Sequence, residues 1–148
     1  MKAQIRFAKR TDLPAIIGLV IDLAIFEQEP DAVTANLDDY NIAFDKGLIH
    51  AFVAEIDNEI VGMALYYNTF STWKGNMLHL EDFIVKETYR NHGIGSLLFN
   101  RVIEEAKSRK CHVLKWQVLH WNEDAIRFYK RKQSVLDKRW WEMKLYFD

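Results

Sequence analysis

The sequence predicts a single mixed α/β domain. Three observations carry that expectation. Strand-like and helix-like patterns alternate in the order β-α-α-β-β-β-α-β-α-β, a mixed α/β layout. An apolar run, Leu78 to Val85, feeds the turn Tyr89-Arg90-Asn91-His92-Gly93-Ile94-Gly95-Ser96, which opens an amphipathic helix. The 148 residues are 49% hydrophobic, which suits one domain with a real core. The chain has only two prolines and no serine-rich linker, low-complexity tract or internal repeat.

Gln4 to Ala8 alternates around Ile5 and Phe7, as an opening strand does. Thr11 reads as a helix N-cap, with Asp12 and an early, tolerated Pro14 behind it. That helix continues at helical spacing through Leu13, Ile16, Ile17, Val20, Leu23 and Ala24. Glu27 to Asp31 is an acidic loop around Pro30, and a second helix is expected between Thr34 and Lys46, ending near Gly47. His50 to Ile56, the turn Asp57-Asn58-Glu59 and Ile60 to Thr69 read as a hairpin. Trp73 to Asn76 reads as a loop and Met77 to Val85 as the next strand. The helix from Gly93 to about Lys107 carries Leu97, Leu98, Val102, Ile103 and Ala106 on one face. Val113 to Leu119 is a strand, Asn122 caps a helix reaching Lys132, and Trp140 to Phe147 closes as a strand.

The longest purely apolar run, Ala15 to Ile21, is too short to span a bilayer. The opening strand pattern gives no sign of a signal peptide, and Cys111, alone, forms no internal disulfide. A cytoplasmic protein without a membrane partner is therefore expected. The net charge of −1 is unevenly spread. Residues 1–85 hold 6 basic and 13 acidic residues, and residues 86–148 hold 14 and 8. A basic half around the glycine turn fits an anionic ligand, and an acidic half fits a cationic one. Solvated helix faces account for many individual charges. No nucleic-acid motif accompanies the basic half, so no nucleic-acid partner is expected.

Glycines at a strand-to-helix turn let backbone N–H groups approach a ligand closely. The helix start offers donors and partial positive charge suited to phosphate. Arg90 adds a charge-assisted bond to the same phosphates. There is no third glycine at dinucleotide-fold spacing and no Gly-Lys-Ser/Thr ending, so two familiar phosphate loops are excluded. By itself such a turn also serves purely as backbone punctuation.

Arg90-x-x-Gly93-x-Gly95, followed by Asn122 opening a helix that carries Phe128-Tyr129, resembles the GNAT superfamily of acetyl-CoA-dependent N-acetyltransferases. Tyr66-Tyr67, Thr69-Phe70, Trp73, Gly75, Leu80-Glu81-Asp82-Phe83, Trp121-Asn122-Glu123 and Phe128-Tyr129-Lys130-Arg131 are similar to its spermidine/spermine branch, which includes thialysine acetyltransferases. The similarity covers about Ile5 to Phe147. It implies a GNAT-like acyl-CoA N-acyltransferase fold, with a twisted, mostly antiparallel mixed sheet flanked by helices. The strands at Met77–Val85 and Val113–Leu119 would splay apart. Acetyl-CoA would lie in that wedge against the backbone of Phe83, Ile84 and Val85. Its phosphates would meet Arg90, Asn91, His92, Gly93, Ile94, Gly95 and Ser96, with Asn122, Tyr129 and Arg131 completing the cofactor site. A homodimer is implied too.

The implied reaction moves an acetyl group from a thioester to an amine. A primary amine has a reference pKa near ~10.4, so at neutral pH it arrives protonated and needs a base. Glu81 is the candidate base, direct or through water, and Asp82 a candidate partner for a distant ammonium. Neighbours on a regular strand point to opposite faces, which a bulge would change. Structural pairing of both with Arg or Lys is the competing reading. The resemblance assigns Tyr129 the protonation of the leaving thiolate; a buried helix Tyr with a satisfied hydroxyl is the bland alternative. Asn122 caps its helix, binds the cofactor, or does both. Glu27, Glu29 and Asp31 would guide a cation or form an ordinary solvated loop. Trp73 would wall the amine's alkyl chain, while Trp121, Trp140 and Trp141 read as core or dimer contacts.

The five histidines lack metal-site spacing, and His79-x-Glu81 has no cysteine pair beside it, so no catalytic metal is expected. Gln133 stands where the family commonly has glycine after Phe-Tyr-x-x-x, so the helix must end in strain or differently. The expected activity is transfer of acetyl from acetyl-CoA to a small cationic amine, a polyamine or a thialysine-like amino acid. A peptide or protein amine is the alternative acceptor. A non-catalytic acyl-CoA-binding module is the alternative class, which the pairing of Tyr129 with Glu81 argues against.

Overall fold

Alternating apolar residues build a five-stranded sheet in the computed structural model, which describes residues 2–147. The strands are β1 (Gln4–Phe7), β2 (His50–Ile56), β3 (Glu59–Ser71), β4 (Gly75–Val85) and β5 (Val113–Trp116). They lie side by side in chain order. The first four pair antiparallel, and β5 runs parallel to β4. The helices of this part are α1 (Leu13–Phe26), α2 (Leu37–Asp45) and α3 (Ile94–Ser108). The sheet is thus mixed and mostly antiparallel, as expected.

Both faces of the sheet are covered. On one, Leu13, Ile16 and Leu19 of α1 pack with Ala51, Val53, Met63, Leu65 and Ile84, and Tyr40 and Phe44 of α2 close over them. On the other, the neighbouring positions Phe52 and Tyr66 stack at 5.4 Å between centroids. There Phe99 of α3 meets Phe83 at 5.8 Å and Trp116 edge-on at 5.2 Å. Each buried Leu, Ile or Phe side chain contributes ~1.5–3 kcal/mol relative to exposure.

Local chemistry sets the element ends. The β2–β3 turn is Asp57-Asn58, with φ of 50° and 65°, the mirror-image turn whose twist suits a hairpin. The first helix does not start on Thr11. A short 3-10 turn, Arg10–Asp12, precedes it, and Asp12 is the residue at the cap. The Asp12 carboxylate accepts from Arg6 at 2.8 Å and from the Lys9 amide at 2.7 Å, which ties the helix start to β1. The second helix begins at Leu37 rather than Thr34, because Asn36 and Asp39 form a reciprocal capping box. β4 begins at Gly75, inside the stretch expected to be a loop.

The contacts divide the chain into two units, the first ending at Gln117 and the second starting at Val118. The second holds α4 (Glu123–Arg131). Asn122 caps it, its Oδ1 accepting from the Ala125 amide at 3.3 Å. Gln133 takes the left-handed conformation, with φ of 61°. The helix therefore ends as a glycine would end it, at a steric cost of about 1–2 kcal/mol for a residue with a Cβ. Trp140 to Phe147 does not form the expected closing strand, and Val113–Leu119 is ordered as a strand only to Trp116. Period-two alternation supplies a face but not a ladder partner. Among the described residues no helix is long and apolar enough to cross a membrane.

Candidate active site

A β-bulge sets the geometry of the two neighbouring carboxylates. Leu65 pairs with Asp82 and Tyr66 with Leu80, so Glu81 is the extra residue of β4. The bulge cancels one alternation. Glu81 Oε1 accepts from Tyr67 Oη at 3.1 Å and lies 3.2 Å from His79 Nε2. Tyr67 and His79 are directly opposite each other on β3 and β4. Asp82 pairs with Leu65, whose side chain belongs to the α1-side core. Glu81 and Asp82 therefore share the face covered by α1 and α2, rather than opposite faces.

Charge accumulates there. Burial, then Glu81 and Glu27, push the Asp82 carboxyl up to about 6, against a smaller opposing effect of His79. Burial also raises Glu27, the C-cap of α1. Tyr40 of α2 is raised by burial and by Asp82 and Glu81. Burial, with Glu81 next, pushes the Tyr67 hydroxyl up to about 12, so it stays a donor. A site that holds carboxylates at this desolvation cost is suited to a cation.

β5 pairs with β4 from Met77↔Val113 to Leu80↔Trp116, and the stretch Glu81–Val85, with Phe83, Ile84 and Val85, runs on beyond that ladder. The glycine turn follows at once. Gly93 takes φ of 82°, which only glycine adopts freely, and stands at the N-cap of α3 without a side chain to cap it. The first-turn amides that follow have no intrahelical acceptor. At Gly95 an added Cβ would meet Phe83 at 3.6 Å and Val85 at 4.0 Å, ordinary contacts, and φ is unstrained. The chain's own packing does not require glycine at Gly95, whereas close approach of a ligand would. Asn91, with φ of 66°, and His92 are exposed in the turn. Arg90 is anchored, its Nε donating to the Val85 carbonyl at 2.8 Å beneath the Phe26 ring at 5.9 Å. That leaves the Nη fork as the part able to meet phosphate, while Nε engages the Val85 carbonyl that the cofactor was expected to share. These donors and the glycine cradle fit a phosphate-bearing thioester such as acetyl-CoA.

In the second unit, Tyr129 lies in the last turn of α4, its ring edge-on to Phe128 at 5.5 Å. Its carbonyl accepts from Ser134 Oγ at 2.7 Å, which secures the turn after it. Arg131 lies over the Phe128 ring at 5.9 Å. The N-cap role of Asn122 is observed directly.

The structure gathers Glu81, Asp82 and Glu27 electrostatically. Glu29 stands before the 3-10 turn Pro30–Ala32 and is exposed. Trp73, 75% exposed, sits in the β3–β4 turn. At ~3.3 Å per residue, the strand from Gly75 to Glu81 spans about 20 Å, so only an extended amine would touch both. Sequence reasoning missed Tyr40, Tyr67 and His79 as members of this site. The i, i+2 spacing of His79 and Glu81 was the available signal for one of them.

Comparison with known proteins agrees with this geometry. The "Acetyltransferase (GNAT) family" pattern matches residues 16–133. A thialysine N-epsilon-acetyltransferase of Bos taurus is 37% identical over 139 residues, 85% of this chain and 80% of that protein. One from Caenorhabditis elegans is 32% identical over 114 residues, covering 77% and 71%. A human spermidine/spermine N(1)-acetyltransferase-like protein 1 is 33% identical over 89% of this chain, which spans 20% of that longer protein. In fold, an aminoglycoside acetyltransferase from an uncultured soil metagenomic sample superposes with a TM-score of 0.82 at 16% identity, covering 99% and 97% of the two chains.

Proposed function

We infer that this chain, which belongs to the acetyltransferase (GNAT) family and is an N-acetyltransferase, acts on a small cationic amine with acetyl-CoA as donor. A polyamine or a thialysine-like amino acid is the acceptor class. The observation that carries this is the pair Glu81 and Asp82 on one face of the β4 bulge, with half-buried Glu27 in electrostatic reach. That anionic cluster adjoins the end of the β4–β5 ladder. The names of the thialysine and spermidine/spermine relatives support the same class.

The donor supplies an activated acetyl thioester. Gly93, Gly95 and the start of α3 hold its phosphates, with Arg90 adding charge. Ser96, Ile94, Asn91 and His92 line the same turn. The backbone of Phe83–Val85 orients the rest. Asp82 holds the acceptor's far ammonium. Glu81 takes the proton from the reacting amine, directly or through one water, which frees the nitrogen lone pair to attack. Tyr129, from its place in the Phe-Tyr pair of α4, donates the proton that the departing thiolate needs. Asn122 and Arg131 belong to the donor side in this reading, and Glu29 and Trp73 to the acceptor side.

The family match runs through both units, which supports treating them as one acetyltransferase domain. A homodimer is the proposed assembly. Trp141, Met143, Leu145 and Phe147 recur at every second position and are 84–94% exposed. A monomer rarely leaves so many large apolar side chains in water. The cytoplasm is the proposed compartment, on the single Cys111 and the lack of a membrane-crossing helix among the described residues.

Tyr129→Phe tests the chemical reading. Turnover should fall about 10²-fold or more while acetyl-CoA affinity is kept. Unchanged turnover would remove Tyr129 from the mechanism.

A further inference from the structure

We propose that Tyr67 and His79 are positioning residues that clamp the Glu81 carboxylate for proton removal from the acceptor amine. The proposal rests on the reading of Glu81 as the base.

A residue extruded by a β-bulge loses the ladder partner that fixes its neighbours, and its side chain gains freedom. Glu81 is also only part-covered, its side chain 49% exposed. A base in that state would spend its time in several rotamers, few of them productive. The structure supplies two restraints, and both act on one oxygen. Tyr67 Oη donates to Oε1 at 3.1 Å, and His79 Nε2 stands 3.2 Å from the same atom. The two restraints are themselves fixed. Tyr67 and His79 are cross-strand partners, with ring centroids 5.1 Å apart. The His79 side chain is 12% exposed, so its imidazole has little room to turn away. Asp82, next along the bulge, is governed chiefly by burial. Two adjacent carboxylates on one face are thereby distinguished, one clamped and aimed, the other desolvated. That division matches a base and an ammonium holder.

A clamp on one carboxylate oxygen limits rotation about the terminal side-chain torsion, the broad two-fold one in Glu. It acts on kcat through geometry, since misplacement of a catalytic group by about 1 Å costs as much as ~10²-fold. It does not act on the donor site, which lies at the glycine turn.

The test is a set of variants assayed for kcat, amine KM and acetyl-CoA Kd: Glu81→Gln, His79→Leu, His79→Gln, Tyr67→Phe and the double variant His79→Leu/Glu81→Gln. His79→Leu is expected to lower kcat about 10- to 100-fold with acetyl-CoA Kd unchanged. His79→Gln keeps a donor near the same place and should recover most of that loss. Tyr67→Phe should lower kcat about 3- to 10-fold. The double variant should fall no further than Glu81→Gln alone, because His79 acts through Glu81. Wild-type kcat in His79→Leu, or multiplied losses in the double variant, would overturn the clamp while leaving Glu81 as base. Wild-type kcat in Glu81→Gln would overturn the reading beneath it. Near-ultraviolet circular dichroism on each variant separates an unfolded protein from a mispositioned base, and Tyr67→Phe, which removes only an oxygen, keeps the proposal testable if a His79 variant does not fold.

Discussion

Asp82 is held in the folded protein at a cost, and Asp82→Asn should reveal it. Burial and the neighbouring Glu81 and Glu27 raise its carboxyl from 3.8 to about 6. At ~1.4 kcal/mol per pH unit, keeping the folded carboxylate ionised costs on the order of 3 kcal/mol relative to the unfolded chain. The sign follows from proton binding. Below the unfolded value both states are protonated and the cost is absent. As pH rises from about 4 to about 6, the unfolded chain loses its proton first and stability falls. Above about 6 the full cost is present. Asn cannot ionise, so the variant should match wild type near pH 4. By pH 7.5 it should be more stable by about 1–3 kcal/mol, the lower figure allowing for an amide left in a desolvated site. Urea unfolding across pH 4–8 reads the difference directly. The same substitution should raise KM for a cationic amine about tenfold, since the ammonium loses its counter-charge. A stability difference that is flat with pH, or a less stable variant at pH 7.5, would refute the argument. Such a residue trades stability for a binding role.

Arg90→Ala removes both the anchor on the Val85 carbonyl and the guanidinium charge beside the glycine turn. Calorimetry should show coenzyme A affinity reduced about tenfold or more, and unchanged affinity would sink the phosphate role. The exposed apolar face at Trp141, Met143, Leu145 and Phe147 predicts a dimer. Sedimentation equilibrium should therefore return twice the 17.5 kDa of one chain, and a single-chain mass at micromolar concentration would contradict that assembly.

Much of the fold was legible because it depends on local periods. The Asp57-Asn58 hairpin, the apolar stripe of α3, the Asn122 cap and the glycine turn are each specified within a dozen residues. What escaped reading depends on two segments at once. Whether Glu81 bulges is a matter of register against β3, which single-strand alternation does not contain. The same holds for the point where β5 leaves β4, and for Trp140–Phe147, whose pattern fits a strand but has no ladder. Thr11 lost the cap to Asp12 because Arg6, on another element, claims that carboxylate. The candidate site divides in the same way. Gly93, Gly95 and the Glu81-Asp82 pair stand out in the sequence, whereas Tyr40 and Tyr67 join them only through packing.

The proposed reading has an anionic, clamped cluster beside a donor cradle acetylating small cationic amines. Thiol release from acetyl-CoA across spermidine, spermine, putrescine, thialysine, lysine and short peptides tests it most directly. Release with polyamines or thialysine, and little with peptides, is the predicted result. Release with peptides alone, or none with any amine despite tight acetyl-CoA binding, would contradict it.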